Sequence, residues 1–181
     1  SNMSTERKVM LKSFGAELIE VPAGDFDGAI LLRDKLAKDN GWFNFNQFHN
    51  ERNIESHWYT TGMEICKDFD YNKPIDAFVA GTGTGGESPV MSGGEPGLHG
   101  IQGIGDGSKF LVDLKDIDRI EIVSTEESIE KSKSLAKQYG LFIGFSAAAN
   151  FLVAERLIAE GYAENVVTIL CDRGERYFSC L

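Results

Sequence analysis

Ile75-Asp76-Ala77-Phe78-Val79-Ala80-Gly81-Thr82-Gly83-Thr84-Gly85-Gly86 is an apolar run that empties into a glycine-rich loop. The run has the length and character of a buried strand. The loop presents few Cβ atoms, so backbone N–H groups can close on a phosphate while threonine hydroxyls add donors. Such a cup normally opens a helix whose N-terminal dipole completes the site. Here Glu87-Ser88-Pro89-Val90-Met91-Ser92-Gly93-Gly94-Glu95-Pro96-Gly97 follows, without a helical period. The loop formally fits GxGxxG, yet the helix and the acidic residue about 20 positions on that a dinucleotide site needs are not in place. No Gly-Lys-Ser/Thr follows, which excludes a Walker loop. A plain flexible connector is the alternative to a phosphate cup.

Strands and helices alternate on either side of this loop. Downstream, residues 117–123 read as a strand and 126–139 as a helix closed by Gly140. Residues 141–143 form a short buried strand, 147–160 a helix ended by Gly161, and 166–170 a buried strand leading to Asp172-Arg173-Gly174. Upstream, Ser4 is placed to cap a helix with Val9, Met10, Leu11 and Phe14 on its apolar face, although Arg7 stands where a capping box takes Glu or Gln. Residues 16–21 alternate as a strand, 26–39 carry apolar residues at helical spacing, 42–45 read as an aromatic strand and 56–67 as a helix. The pattern predicts an α/β fold, a mainly parallel sheet with flanking helices. Ligand loops in such sheets gather at the carboxyl ends of the strands, where residues 81–86, 144–146 and 172–174 fall.

Size and charge narrow the function. The 181 residues suffice for a sizeable core. Eighteen basic against 28 acidic residues give a net charge of −10, with no basic cluster for nucleic acid or an anionic membrane. No apolar run approaches the roughly 18 residues of a bilayer span, and no signal peptide is recognisable. Cys66, Cys171 and Cys180 are odd in number and widely spaced, which fits a reducing compartment, so a cytoplasmic location is expected. His49, His57 and His99 have no ligand-like spacing, and no metal site is expected.

Gly144-Phe145-Ser146 lies between a strand and a helix, making Ser146 the expected N-cap. Its plain role is the cap, worth about 1 kcal/mol; its functional role is a hydroxyl aimed into the crevice of the glycine loop. Gln47 suits either a ligand carboxylate or a structural bond. Cys171 has no identifiable His partner and is expected to be buried packing.

Met3-Ser4-Thr5-Glu6-Arg7, Phe14-Gly15-Ala16-Glu17-Leu18, Thr60-Thr61-Gly62-Met63-Glu64-Ile65, the glycine loop, His99-Gly100-Ile101-Gln102-Gly103-Ile104-Gly105 and Asp172-Arg173-Gly174-Glu175-Arg176-Tyr177 occur in this order. Together they resemble the cysteine synthase (O-acetylserine sulfhydrylase) family of fold type II pyridoxal-phosphate enzymes, with a tryptophan synthase β-like fold. The resemblance implies pyridoxal 5'-phosphate as cofactor, its phosphate held by Gly81, Thr82, Gly83, Thr84 and Gly85 and its pyridine nitrogen by Ser146. A neutral hydroxyl there leaves the nitrogen unprotonated, which suits β-elimination. Gln47 resembles the glutamine that binds the amino acid's carboxylate, and Gly103-Ile104-Gly105 a segment on the substrate side of the ring. The implied reaction is β-replacement, O-acetyl-L-serine plus sulfide giving L-cysteine and acetate, with a cystathionine β-synthase-type reaction or a non-catalytic binding fragment as alternatives. A homodimer is implied, and the C-terminal tail of serine acetyltransferase is a further partner of the family.

The departures are as informative. Asn50-Glu51-Arg52-Asn53-Ile54 replaces the family's Asn-Pro-x-Asn-Pro, and Ser146-Ala147-Ala148-Ala149 its Ser-Ser-Gly-Ala. The family's Schiff-base lysine has no counterpart among these residues, so no catalytic residue is assigned and the chain alone is expected to be inactive. A helix and a strand that the family carries are missing between Gly86 and Glu87. The fold is therefore expected to be incomplete, with residues 1–40 a remnant of the smaller domain and 41–181 the larger, cofactor-binding domain.

Overall fold

In a computed structural model of the chain, residues 3–47, 49–69, 73–81, 101 and 113–180 are described. The elements are α1 (Thr5–Ser13), α2 (Phe26–Asn40), α3 (Arg52–His57), α4 (Met63–Asp68), β1 (Ala77–Val79), α5 (Thr125–Tyr139), α6 (Phe145–Ala159) and β2 (Val166–Thr168). Short 3-10 helices occupy Leu114–Asp116 and Gly174–Cys180. A single π turn, Trp58–Gly62, joins α3 to α4, so the helix expected over 56–67 runs through it.

β1 and β2 pair in parallel, Ala77 opposite Val166, Phe78 opposite Val167 and Val79 opposite Thr168. The start of the pair is pinned by Asp76, whose carboxylate accepts from the N–H groups of Glu164 and Asn165 at 3.0 and 2.7 Å. Its end is pinned by the Thr168 hydroxyl donating to the Val79 carbonyl at 2.9 Å. Parallel strands need a crossover, and α5 and α6 lie in the chain between these two.

α6 is the centre of the packing. Phe145, Ala149, Val153 and Leu157 form one buried cluster with Ile101, Val123 and Tyr177, against which Ala77, Val79 and Val166 of the sheet rest. On its other side Ala147 and Ala148, both 0 % exposed, meet Leu135 and Ile143. A helix apolar on several faces is one enclosed by its neighbours, and two alanines in succession let α5 approach closely. α5 itself starts with a capping box: Ser124 Oγ accepts from Glu127 N–H at 3.1 Å and the Glu127 carboxylate accepts from Ser124 N–H at 2.8 Å. It closes at Gly140, whose φ of +68° is left-handed.

Several sequence expectations are corrected. Residues 16–21, 42–45 and 117–123 are not strands, and 141–143 contributes only an antiparallel bridge from Ile143 to Arg173. Alternating apolar residues make a strand only beside another backbone edge, and the described sheet has two strands. Trp42, Phe43 and Phe45 remain exposed, as do Val9, Leu11 and Phe14 of the apolar face expected on α1. Ser4 precedes α1 but makes no side-chain cap; its hydroxyl donates to the Arg176 carbonyl at 2.7 Å. Glu6 likewise reaches across, accepting from Ser179 N–H and Oγ at 2.7 and 2.8 Å. α1 is thereby tied to the C-terminal 3-10 helix.

Candidate cofactor site

The site is assembled where the chain enters α6 beside the chain leaving β2. Gly144 N–H donates to the Asp172 carbonyl at 3.0 Å, and Gly174 N–H to the Phe142 carbonyl at 3.1 Å. Asn150, one turn into α6, donates to the Ile169 carbonyl at 2.8 Å. These bonds bring Ser146 next to Cys171 and Asp172. The Cys171 thiol donates to Ser146 Oγ across 3.4 Å.

Asp172 organises the cluster. It is 6 % exposed. Oδ1 accepts from the N–H of Ala147 at 2.9 Å and Oδ2 from the Tyr177 hydroxyl at 2.5 Å. A carboxylate on the first turn of a helix also interacts favourably with its dipole. The capping task expected of Ser146 is thus performed from 25 residues away. Gly144, not Ser146, is the N-cap position. Its φ of −77° is ordinary, but a Cβ there would lie 2.2 Å from Asp172 Oδ2 and 2.6 Å from Cε2 of Tyr177. Space, not conformation, demands glycine. Ser146 does not serve as the cap; it is 4 % exposed and its hydroxyl accepts from the Cys171 thiol.

Tyr177 closes the cluster. Its ring lies 4.3 Å from that of Phe145, and the Arg7 guanidinium both stacks over it at 5.0 Å and donates to its oxygen at 2.7 Å. Burial, then the hydrogen bond to and the charge of Asp172, push the phenol well above its ordinary value of 10, against the opposing pull of Arg7 and Ser146. Arg7, at the position of a capping-box acid, belongs instead to this network. Cys171 corrects another expectation: the residue is exposed, not buried. Loss of hydration at the sulfur nevertheless raises its pKa, which the Ser146 bond partly offsets and the Asp172 charge reinforces. The surroundings of Ser146 Oγ are therefore a neutral thiol and a neutral phenol at pH 7.

Gly81 follows β1 at its carboxyl end and is exposed. Thr82, Gly83, Thr84, Gly85, the Gly86–Glu87 junction, Gly103, Ile104 and Gly105 lie outside the described residues. Gln47 is exposed and lines a different cleft, of ≈ 460 Å³, with Arg33 and Leu36 of α2 and the aromatic residues Trp42, Phe43 and Phe45. Its described bond is structural, its carbonyl accepting from Asn53 at 3.2 Å. Among the described contacts Gln47 does not meet the Ser146 cluster. Sequence reasoning missed Asp172, Tyr177 and Gly144 as a unit. The available signal was an acid directly past a strand end with a glycine just before the neighbouring helix.

Residues 1–89 match the family of pyridoxal-phosphate dependent enzymes. Over 206 aligned positions the chain is 37% identical to cysteine synthase of Staphylococcus aureus, covering 98% of this chain and 66% of the relative. The chain belongs to the fold type II pyridoxal-phosphate dependent enzymes. The structure superimposes on O-ureido-L-serine synthase with a TM-score of 0.91 at 28% identity, over 100% of this chain and 66% of that one. It also resembles the O-acetylserine dependent cystathionine β-synthase of Helicobacter pylori, with a TM-score of 0.86 at 30% identity over 97% and 66% of the two chains. The chain thus spans about two-thirds of the length of the curated relatives it matches. The cofactor of this family is pyridoxal phosphate. The chemistry of the Ser146 cluster fits its ring-nitrogen end: a buried neutral hydroxyl at a helix N-terminus accommodates an unprotonated pyridine nitrogen, where a carboxylate would draw a proton onto it.

Proposed function

We propose that the protein containing this stretch makes L-cysteine and acetate from O-acetyl-L-serine and sulfide. The observation that carries the reading is Ser146, buried on the first turn of α6 at the carboxyl end of a parallel strand pair, in a chain 37% identical to a cysteine synthase. Pyridoxal phosphate, when bound, supplies the electron sink for loss of a β-substituent. Ser146 hydrogen-bonds its ring nitrogen without protonating it, and Asp172, Tyr177 and Gly144 hold the helix turn that carries Ser146. Gly81 and the glycine loop take the phosphate, Gln47 the substrate carboxylate, and Gly103-Ile104-Gly105 line the substrate side. Gln47 reaches the site only if its segment closes toward α6. With no lysine in a matching motif, nothing in this stretch moves the α-proton, so the chain alone is inactive. Residues 1–40 are assigned to a smaller domain and 41–181 to the larger; a cytoplasmic homodimer that can receive a serine acetyltransferase tail completes the reading.

A second reading, cystathionine β-synthase-type replacement with a larger thiol, is favoured by the likeness to the Helicobacter enzyme. Rates with sulfide and with homocysteine, measured on the protein that carries the remaining third of the fold, separate the two. Ser146→Ala should lower kcat/KM for O-acetyl-L-serine about 100-fold in either case, as loss of a preorganised polar contact does. An unchanged rate overturns the role of Ser146. No turnover with either thiol overturns the function and leaves a binding role.

A further inference from the structure

We propose, resting on the cofactor reading of Ser146, that Cys171 is a positioning residue: its thiol proton occupies a lone pair of Ser146 Oγ and so commits the Ser146 proton to the ring nitrogen. A serine hydroxyl has one proton and two lone pairs, and it rotates to suit its neighbours. An unprotonated pyridine nitrogen can only accept, so Ser146 must donate to it. Whatever fixes the rotation of that hydroxyl decides whether Ser146 can do its work.

The Cys171 sulfur lies 3.4 Å from Ser146 Oγ. Its other polar neighbour, Asp172 Oδ1, is 4.0 Å away and already accepts from Ala147 N–H at 2.9 Å. Loss of hydration raises the thiol pKa; the Ser146 bond opposes this and the Asp172 charge reinforces it, so at pH 7 the sulfur carries its proton. A thiolate here would reverse the bond and take the Ser146 proton for itself. Tyr177 has no proton to give to Ser146, because its own is held by Asp172 Oδ2 at 2.5 Å. Toward Ser146 the phenol oxygen is an acceptor, which is why Ser146 pulls against the rise in the phenol pKa. That oxygen also accepts from the Arg7 guanidinium at 2.7 Å, and is the weaker claimant on the Ser146 proton beside a pyridine nitrogen. Among the described contacts, then, the thiol is the donor to Ser146, and a hydroxyl that accepts is polarised into a better donor. Cys171 immediately precedes Asp172, whose bond to Ala147 N–H fixes the first turn of α6. One short segment therefore sets both the place of Ser146 and the direction of its hydroxyl.

Two measurements on the full chain test this. Infrared absorption of the S–H stretch, recorded without cofactor, reads the bond itself. The band that Cys171→Ala removes should shift to higher frequency in Ser146→Ala, while those of Cys66 and Cys180 stay where they are. Titration with pyridoxal 5'-phosphate reads the consequence. Cys171→Ala should weaken binding about threefold where Ser146→Ala weakens it about tenfold, and the double variant should bind no worse than Ser146→Ala, because Cys171 acts through that hydroxyl. Binding that is absent or indifferent to Ser146 overturns the cofactor reading and the proposal with it. Binding that depends on Ser146 but not on Cys171 overturns the proposal alone. So does a double variant weakened by the product of the two single effects, or a Cys171 band that Ser146→Ala does not move.

Discussion

Asp172 is the residue on which the site depends most. Its carboxylate is buried and serves two donors from separate elements, so Asp172→Ala removes the acceptor that holds Ala147 N–H and the Tyr177 hydroxyl together. The expected cost is about 2–4 kcal/mol, measurable as a shift in the urea midpoint. Gly144→Ala should cost about as much by a different route, because its Cβ meets the same carboxylate at 2.2 Å and overpacking costs about 1–3 kcal/mol or more. Tyr177 gives a pH signature. Its pKa is raised on folding, so its contribution to stability is intact below the unfolded value near 10 and is lost as pH climbs from there through the folded value. Before alkaline unfolding, wild type and Tyr177→Phe should gain the same tyrosinate absorbance at 295 nm. A larger gain in wild type would mean that the phenol ionises in the folded protein.

At the scale of elements, α5 tests how local rules hold up. Ser124→Ala removes one half of a reciprocal cap and should destabilise by about 1 kcal/mol. The Glu127 carboxyl is held below its ordinary 4.5, chiefly by Ser124 N–H, with Ser124 Oγ and Arg156 contributing. That stabilisation is present above the unfolded pKa and fades as pH falls below it, so Glu127→Gln should flatten the acid limb of a pH–stability curve measured down to about pH 3. α5 was legible because its cap and its closing glycine lie within its own sequence. α6 was legible as a helix, expected over 147–160 and observed over Phe145–Ala159, but not in how it begins. Its capping acid comes from Asp172, a contact that local spacing does not encode. The same limit explains Ser4 and Arg7, whose neighbours in sequence suggested a cap while their partners are Arg176 and Tyr177.

At the scale of the whole molecule, an α/β chain with parallel strands was readable from the alternation of apolar runs and helical spacing. The extent of the sheet was not. β1 and β2 pair because each finds an edge on the other across α6, whereas residues 117–123 have the apolar pattern of a strand and face a cleft instead. A pattern specifies which residues suit a strand; pairing requires a neighbour, and the relatives carry residues that this chain lacks. Of the site, the family cofactor was legible, since six short motifs in order are specific even where each alone is modest. The Asp172–Tyr177–Arg7 support was not, because it joins the two ends of the chain.

Titrating pyridoxal 5'-phosphate onto this chain and onto Ser146→Ala, followed by cofactor absorbance and by intact mass after borohydride reduction, tests whether Ser146 holds the cofactor ring. Binding should be saturable, Ser146→Ala should weaken it about tenfold, the worth of one hydrogen bond, and no single lysine should take up the cofactor stoichiometrically on reduction. Binding that is absent, binding indifferent to Ser146, or one lysine fully converted by borohydride would contradict this reading.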